Sequence, residues 1–305
     1  MSQEEPRTSA SGVDVTGAGR GSVVVGVDDT SYSWSAADWA ASEAERRGCG
    51  VKVVHAVGRG VDSAYGEALE LGLTERAMEA AVGVLDDARA RLTAGHPGVP
   101  IETGPARDDP AEALMSAARD ADLIVVGTRG RGGFAELLLG SVSRKVAAHA
   151  DRPVVVVRGD MAKAVSNGIV AGVRDERDEA AVRFALAEAE LHRADVRLVH
   201  SWTPLAPLGI GRVTSQVSHI EEERDAHAQL LNHAARPIAE HPTVHVDTEL
   251  TADSAAGALV KVSEGTGLVV LPRHPVEGRF GLPLGTVVHA VLHHAHCPVA
   301  VVPVG

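Results

Sequence analysis

Aromatic residues are scarce in this chain, at 3% of the total, so its cores have to be built from Val, Leu, Ile and Ala. Cysteine is nearly missing too. The only two, Cys49 and Cys297, exclude a disulfide framework and any Cys-x-x-Cys metal pattern, which suits a reducing compartment. No apolar run approaches the roughly 20 residues that a membrane-spanning helix needs. The opening stretch, MSQEEPRTSASGVDVTGAGRG, has no apolar segment of the signal-peptide kind. Residues 1–21 are therefore expected to be a disordered tail and the protein to be cytoplasmic. Positive charge is in deficit, with a formal net charge of −12, which argues against nucleic acid or an anionic membrane as a partner over the whole surface. It leaves room for one small local anion site.

What is present has the length and composition of two globular domains: 305 residues, 45% hydrophobic and 23% charged. Abundant Val favours buried parallel strands, and abundant Ala favours close helix packing. SVVVGV (22–27) predicts a strand that ends in Asp28-Asp29-Thr30-Ser31, which is turn and N-cap chemistry. Ala36, Ala37, Ala40, Ala41 and Ala44 then recur at helical spacing until Gly48, and VKVVHAV (51–57) predicts a second strand. A long helix closing near Gly95, a strand at 99–103, a helix at 110–119, a strand at 123–126, a helix at 141–150 and a strand at 153–157 complete the first half. Strands alternating with helices predict a parallel, doubly wound sheet. The chain then repeats itself about 145 residues on: GIVAGV (168–173) echoes SVVVGV, VRLVHS (196–201) echoes VKVVHA, and PVAVV (298–302) echoes PVVVV (153–157). The expected domains are 22–158 and 167–305, joined by a linker at 159–166.

The stretch LIVVGTRGRGGFAELLLGSVS (123–143) places a glycine-rich loop between a strand and a helix N-terminus. Gly127 and Gly130 can take positive φ and let backbone N–H groups approach a phosphate chain. Gly140 and Ser141 open the helix, where free N–H groups and the dipole favour an anion, and Ser141 and Ser143 add hydroxyl donors. A Walker loop requires a Lys before the Ser, and Leu139-Gly140 stand there instead. Gly130-x-Gly132-x-x-Ala135 matches the dinucleotide fingerprint in letters, but it neither follows a first strand nor runs straight into a helix.

The pattern Gly127-x2-Gly130-x9-Gly140-Ser141 resembles the nucleotide loop of the universal stress protein family, in its tandem, ATP-binding branch. The resemblance covers both halves. It implies two Rossmann-like domains of the adenine nucleotide alpha hydrolase type, each an α/β unit with a five-stranded parallel sheet of order 3-2-1-4-5 and helices on both faces. It also implies ATP, with Mg2+, at the carboxyl ends of strands 1 and 4. The residues it points to are Gly26, Asp28, Gly127, Arg129, Gly130, Arg131, Gly132, Gly140, Ser141, Val142 and Ser143. Asp28 would reach the ribose or a phosphate-bound Mg2+, or else serve as a turn or N-cap residue. Arg129 and Arg131 would clamp the triphosphate or point to solvent.

Aligned without gaps across the loop, the halves place Pro272 at Gly127 and Pro275 at Gly130; at the end of strand 1, Arg174 falls opposite Asp28. Proline has no N–H and a fixed φ, so one ATP site is expected, in the N-terminal half. The resemblance implies that the fifth strands pair within the chain as a pseudo-dimer, with a homodimer as a further option; as bare sheet edges they are in any case expected to be covered. His289 and His293 have the i, i+4 spacing of a metal pair, but the matching first-half helix has no such set and no metal is assigned. No acid/base pair or phosphate-binding Lys appears, so no catalytic residue is assigned. The reading is a nucleotide-dependent regulatory or sensor protein of the stress response, acting on an unidentified protein partner. A slow ATPase or adenylyl-group hydrolase, and an interaction module with a vestigial site, are the alternatives.

Overall fold

The structure, a computed structural model, describes residues 21–58, 67–130, 139–158, 167–203, 213–275 and 284–304, with backbone alone for 67–74 and 213–219. The first half runs β1 (Val23–Gly26), α1 (Ser31–Arg47), β2 (Val51–Ala56), α2 (Glu67–Gly95), β3 (Ile101–Ala106), α3 (Pro110–Ala117), β4 (Leu123–Gly127), α4 (Ser141–His149) and β5 (Val154–Val157). The second runs β6 (Ile169–Val173), α5 (Glu179–His192), β7 (Val196–Ser201), α6 (Val213–Ala234), β8 (Val246–Thr251), α7 (Ala255–Val262), β9 (Leu268–Arg273), α8 (Gly285–His294) and β10 (Val299–Pro303).

Both halves have the predicted strand order, and they share one ten-stranded sheet, β3-β2-β1-β4-β5-β10-β9-β6-β7-β8. Every pairing is parallel except the central one. There β5 and β10 run antiparallel, with Val154 opposite Val301 and Val156 opposite Val299. Each fifth strand thereby covers the other's edge, which would otherwise present a row of unpaired backbone groups. The expected pairing within the chain is thus observed.

Burial explains the strand composition. Val23, Val24 and Val25 of β1 and Val155 and Val156 of β5 are fully buried, because helices cover both sheet faces. One apolar layer joins the sheet to α1, α2, α5 and α6; the other joins it to α3, α4, α7 and α8, and each layer is continuous across both halves. The alanine stripe of α1 faces the first layer, where small side chains let helix and sheet approach closely. Local chemistry sets the helix ends. Thr30 caps α1 in a reciprocal capping box with Ser33, and Gly48, at φ 63°, closes it in the left-handed conformation. Asp109 caps α3 just before Pro110.

Two further contacts tie the halves together. The Arg273 guanidinium donates to the carbonyls of Ala148 and Ala150, both at 2.5 Å, at the C-terminal end of α4 where unpaired acceptors collect. On the opposite face α1 meets α5 through Glu43, Arg47, Glu188 and His192.

Candidate functional site: paired clefts at the strand ends

The sheet order reverses direction beside β1, and the carboxyl ends of β1 and β4 part there, as at the ligand crevice of open α/β sheets. A cleft of about 470 Å³ opens at that point. Gly26, Asp28, Gly127, Arg129, Gly130, Gly140, Ser141, Val142 and Ser143 all line it. Arg131 and Gly132 lie outside the described residues.

The glycines are needed for a reason other than the one expected. Neither Gly127 nor Gly130 has a positive φ. A Cβ on Gly127 would sit 2.6 Å from the Tyr32 carbonyl oxygen, and one on Gly130 would sit 2.4 Å from Asp28 Oδ2. The Tyr32 backbone therefore excludes a side chain at Gly127, whereas one at Gly130 would have to push the Asp28 carboxylate aside, with no unusual torsion involved at either. Gly140 is extended, with φ −72°, and its N–H donates to Thr128 O at 2.7 Å, which folds the end of the loop back onto its start. No side chain caps α4, and its first residues, Ser141 to Ser143, line the cleft, so the N–H groups that a helix start leaves unpaired lie at its wall.

Ser143 differs from expectation. Its hydroxyl is buried and donates to Gly127 O at 2.6 Å. It braces the strand end against α4 and is committed to that contact. Ser141 is exposed. Asp28 Oδ1 accepts from the Thr30 hydroxyl at 2.7 Å and from the Thr30 N–H at 3.3 Å, while Oδ2 faces Gly130. Asp28 thus shapes the turn and borders the loop. The Arg129 guanidinium lies over the Tyr32 ring, 5.6 Å from its centroid, and is held at the cleft wall.

The second half has a cleft of about 430 Å³ in the equivalent place, lined by Gly172, Arg174, His200, Pro272, His274, Pro275 and Thr286. The prolines change the donors available more than the volume. Arg174 stands where Asp28 stands, and a short 3-10 turn, Glu176–Asp178, precedes α5. Asp178 is fully buried; its Oδ2 accepts from the N–H groups of Arg174 and Asp175, and its Oδ1 lies 2.9 Å from His274 Nε2. Burial raises the Asp178 carboxyl above the usual range, against the pull of the two backbone N–H groups. Asp175 is held down at about 2, chiefly by its hydrogen bond to Arg177. Burial lowers His200, with His227 beside it as a like-charged neighbour.

The sequence model of the universal stress protein family matches residues 19–158 and again 167–303. The chain belongs to the universal stress protein family. Universal stress protein Rv2623 of Mycobacterium tuberculosis is 30% identical over 288 residues, which is 92% of this chain and 95% of the relative. Universal stress protein Rv2005c of the same organism is 28% identical over 287 residues, 92% of this chain and 96% of its own length. Among solved structures, a universal stress protein from Archaeoglobus fulgidus shares the fold with a TM-score of 0.66 at 17% identity, covering 93% of this chain and 97% of its own. No described helix of this universal stress protein is long and apolar enough to cross a membrane.

Among the cleft residues that escaped the sequence reading, one is polar, buried and repeated in the other half. His55, at the end of β2, is buried, lines the first cleft and donates from Nδ1 to Val27 O at 2.7 Å. His200 makes the same contact with Val173 O at 2.8 Å, and its Nε2 meets His227 Nδ1 at 2.8 Å. A carbonyl only accepts, so Nδ1 carries the proton in both rings. The signal was present in the repeat, since VKVVHA and VRLVHS both carry His at the same place.

Proposed function

We propose that this universal stress protein is a nucleotide-dependent regulatory protein that takes one ATP, with Mg2+, in the first cleft. The observation that carries the reading is the uncapped N-terminus of α4 opening into a cleft where Gly127 leaves no room for a Cβ and Gly130 lies against the Asp28 carboxylate. Backbone N–H groups at a helix start are ready-made partners for phosphate oxygens. In this reading Ser141 and Val142 offer their N–H groups, Gly130 lets the phosphates lie against the loop, and Arg129 supplies fixed positive charge. Asp28 takes the ribose or a phosphate-bound Mg2+, which supplies the positive charge that a carboxylate beside a triphosphate requires. Bound nucleotide then shifts the surface offered to a protein partner in the cytoplasm.

Calorimetric titration of nucleotide-stripped protein with ATP and Mg2+ tests this. The expected result is one site per chain and much weaker binding of adenosine, which lacks the phosphates. Equal affinity for adenosine and ATP would remove the role of the α4 N-terminus, and no binding at all would leave an interaction module with a vestigial cleft.

A further inference from the structure

The contact between α1 and α5 buries an unusual set of charges. Glu43 and Glu188 occupy the same place in the two halves, as do Arg47 and His192, each four residues further along its helix. The side chains of Glu43, Glu188 and His192 are 0%, 1% and 4% exposed, and Arg47, at 17%, is the open side of the cluster. Arg47 holds one oxygen of each carboxylate: its Nε is 2.6 Å from Glu43 Oε1, and its Nη2 pairs with Glu188 Oε1. The other two oxygens turn toward His192. Its Nε2 lies 2.9 Å from Glu43 Oε2 and 3.7 Å from Glu188 Oε2. Glu188 Oε2 is buried without a hydrogen-bond partner, a costly state for a polar atom.

We propose that Glu43, Glu188 and His192 form a buried divalent-cation site, of the zinc class, that joins the two halves. Three ligand atoms, one from each residue, converge within 4.8 Å of one another. Ligands on a tetrahedral zinc with bonds of 2.0–2.1 Å stand about 3.3 Å apart, and the two distances from His192 bracket that spacing. The donor set of one imidazole and two carboxylates suits zinc. Arg47, on the far oxygens of both carboxylates, orients the ligands from behind, as outer partners do at metal centres. As a metal ligand His192 is neutral, so the two buried carboxylates would then face the Arg47 guanidinium and the cation itself, which takes the place of the imidazole proton. The pseudo-symmetry identifies the decisive substitution. A second Arg at 192 would close the cluster as an ion quartet, whereas His192 offers a nitrogen lone pair in its place.

The test uses the untagged, full-length chain, stripped with a chelator, loaded with zinc chloride, desalted and measured by elemental mass spectrometry. The wild type is expected to retain about one zinc per chain and to melt at higher temperature with it. His192→Arg and Glu188→Gln should each bind zinc at least about 100-fold more weakly and lose that thermal shift. His289→Gln, which removes one of the stacked surface histidines on α8, should retain the metal. Should His192→Arg fail to fold, Glu188→Gln decides alone. A wild type that retains no zinc, or zinc kept undiminished when Glu188 is Gln, overturns the site.

Discussion

The two halves share strand order, register, the histidine that ties β2 or β7 to the end of the first strand and the apolar floor of the cleft, yet they differ at the positions that would meet a phosphate chain. After β1 comes Asp28, and Thr30 caps α1 directly; after β6 comes Arg174, and a 3-10 turn held by Asp175 and Asp178 intervenes. After β4 the loop carries Gly127 and Gly130; after β9 it carries Pro272 and Pro275. Gly140 is extended at φ −72°, whereas Gly285 is left-handed at φ 66°. Even the brace differs, because Val288 stands where Ser143 donates to Gly127 O. Buried strands and helix faces maintain the architecture, and they leave the loops at the carboxyl ends free to change chemistry without changing the fold.

The most direct way to break this contrast is to give the first half the loop of the second. Gly127→Pro with Gly130→Pro removes two N–H donors and sets ring atoms where even a Cβ meets Tyr32 O and Asp28 Oδ2. Hydrogen bonds to a charged group contribute about 1.5–3 kcal/mol each, so ATP affinity should fall by more than about 100-fold. Calorimetry reads the loss, with circular dichroism to confirm that the sheet persists. The converse exchange, Arg174→Asp with Pro272→Gly and Pro275→Gly, should raise the ATP stoichiometry from one to two per chain. If one site remains, the left-handed Gly285 and the 3-10 turn count for as much as the prolines.

Smaller effects sharpen the comparison. Ser143→Val copies the second half and leaves Gly127 O without its hydroxyl. A loss of about 1 kcal/mol of stability is expected, read by urea unfolding. A change in the urea m-value would instead mean that α4 has detached. The smallest effect concerns acid. Asp175 has its folded pKa lowered from 3.8 to about 2, so its contribution is complete above the ordinary carboxylate value and is lost as pH falls from about 4 to about 2. Arg177→Gln should remove that part of the acid sensitivity. Unfolding midpoints compared between pH 5 and pH 2.5 measure it, and identical pH profiles for variant and wild type would show that the ion pair is fully screened.

Much of the fold was legible because its signals are local or repeated. Runs such as VVVG and VVVV are too short and too β-branched for helices, the alanines of α1 keep a helical period, and the same order of elements returns about 145 residues later. The cleft was legible to the level of residue type. Glycine at 127 and 130 could be read from the loop, but their surroundings could not, because the backbone that forbids a side chain at 127 is that of Tyr32 and the carboxylate lying against 130 is that of Asp28, about a hundred residues earlier in the chain. The serine at 143 was visible as a donor, and only packing showed that a strand-end carbonyl accepts its hydrogen bond.

By itself, then, the sequence determined the two α/β halves and the inequality of their loops, because hydrophobic period, turn chemistry and repetition are written in neighbouring residues. Only the tertiary structure decided which side chains meet. Glu43 and Glu188 each look like an ordinary helical carboxylate. The antiparallel joining of β5 to β10 brings α1 against α5 and buries both beside Arg47 and His192. That contact spans about 145 residues of chain, and its energy depends on burial and on atoms a few ångströms apart, neither of which a local pattern encodes.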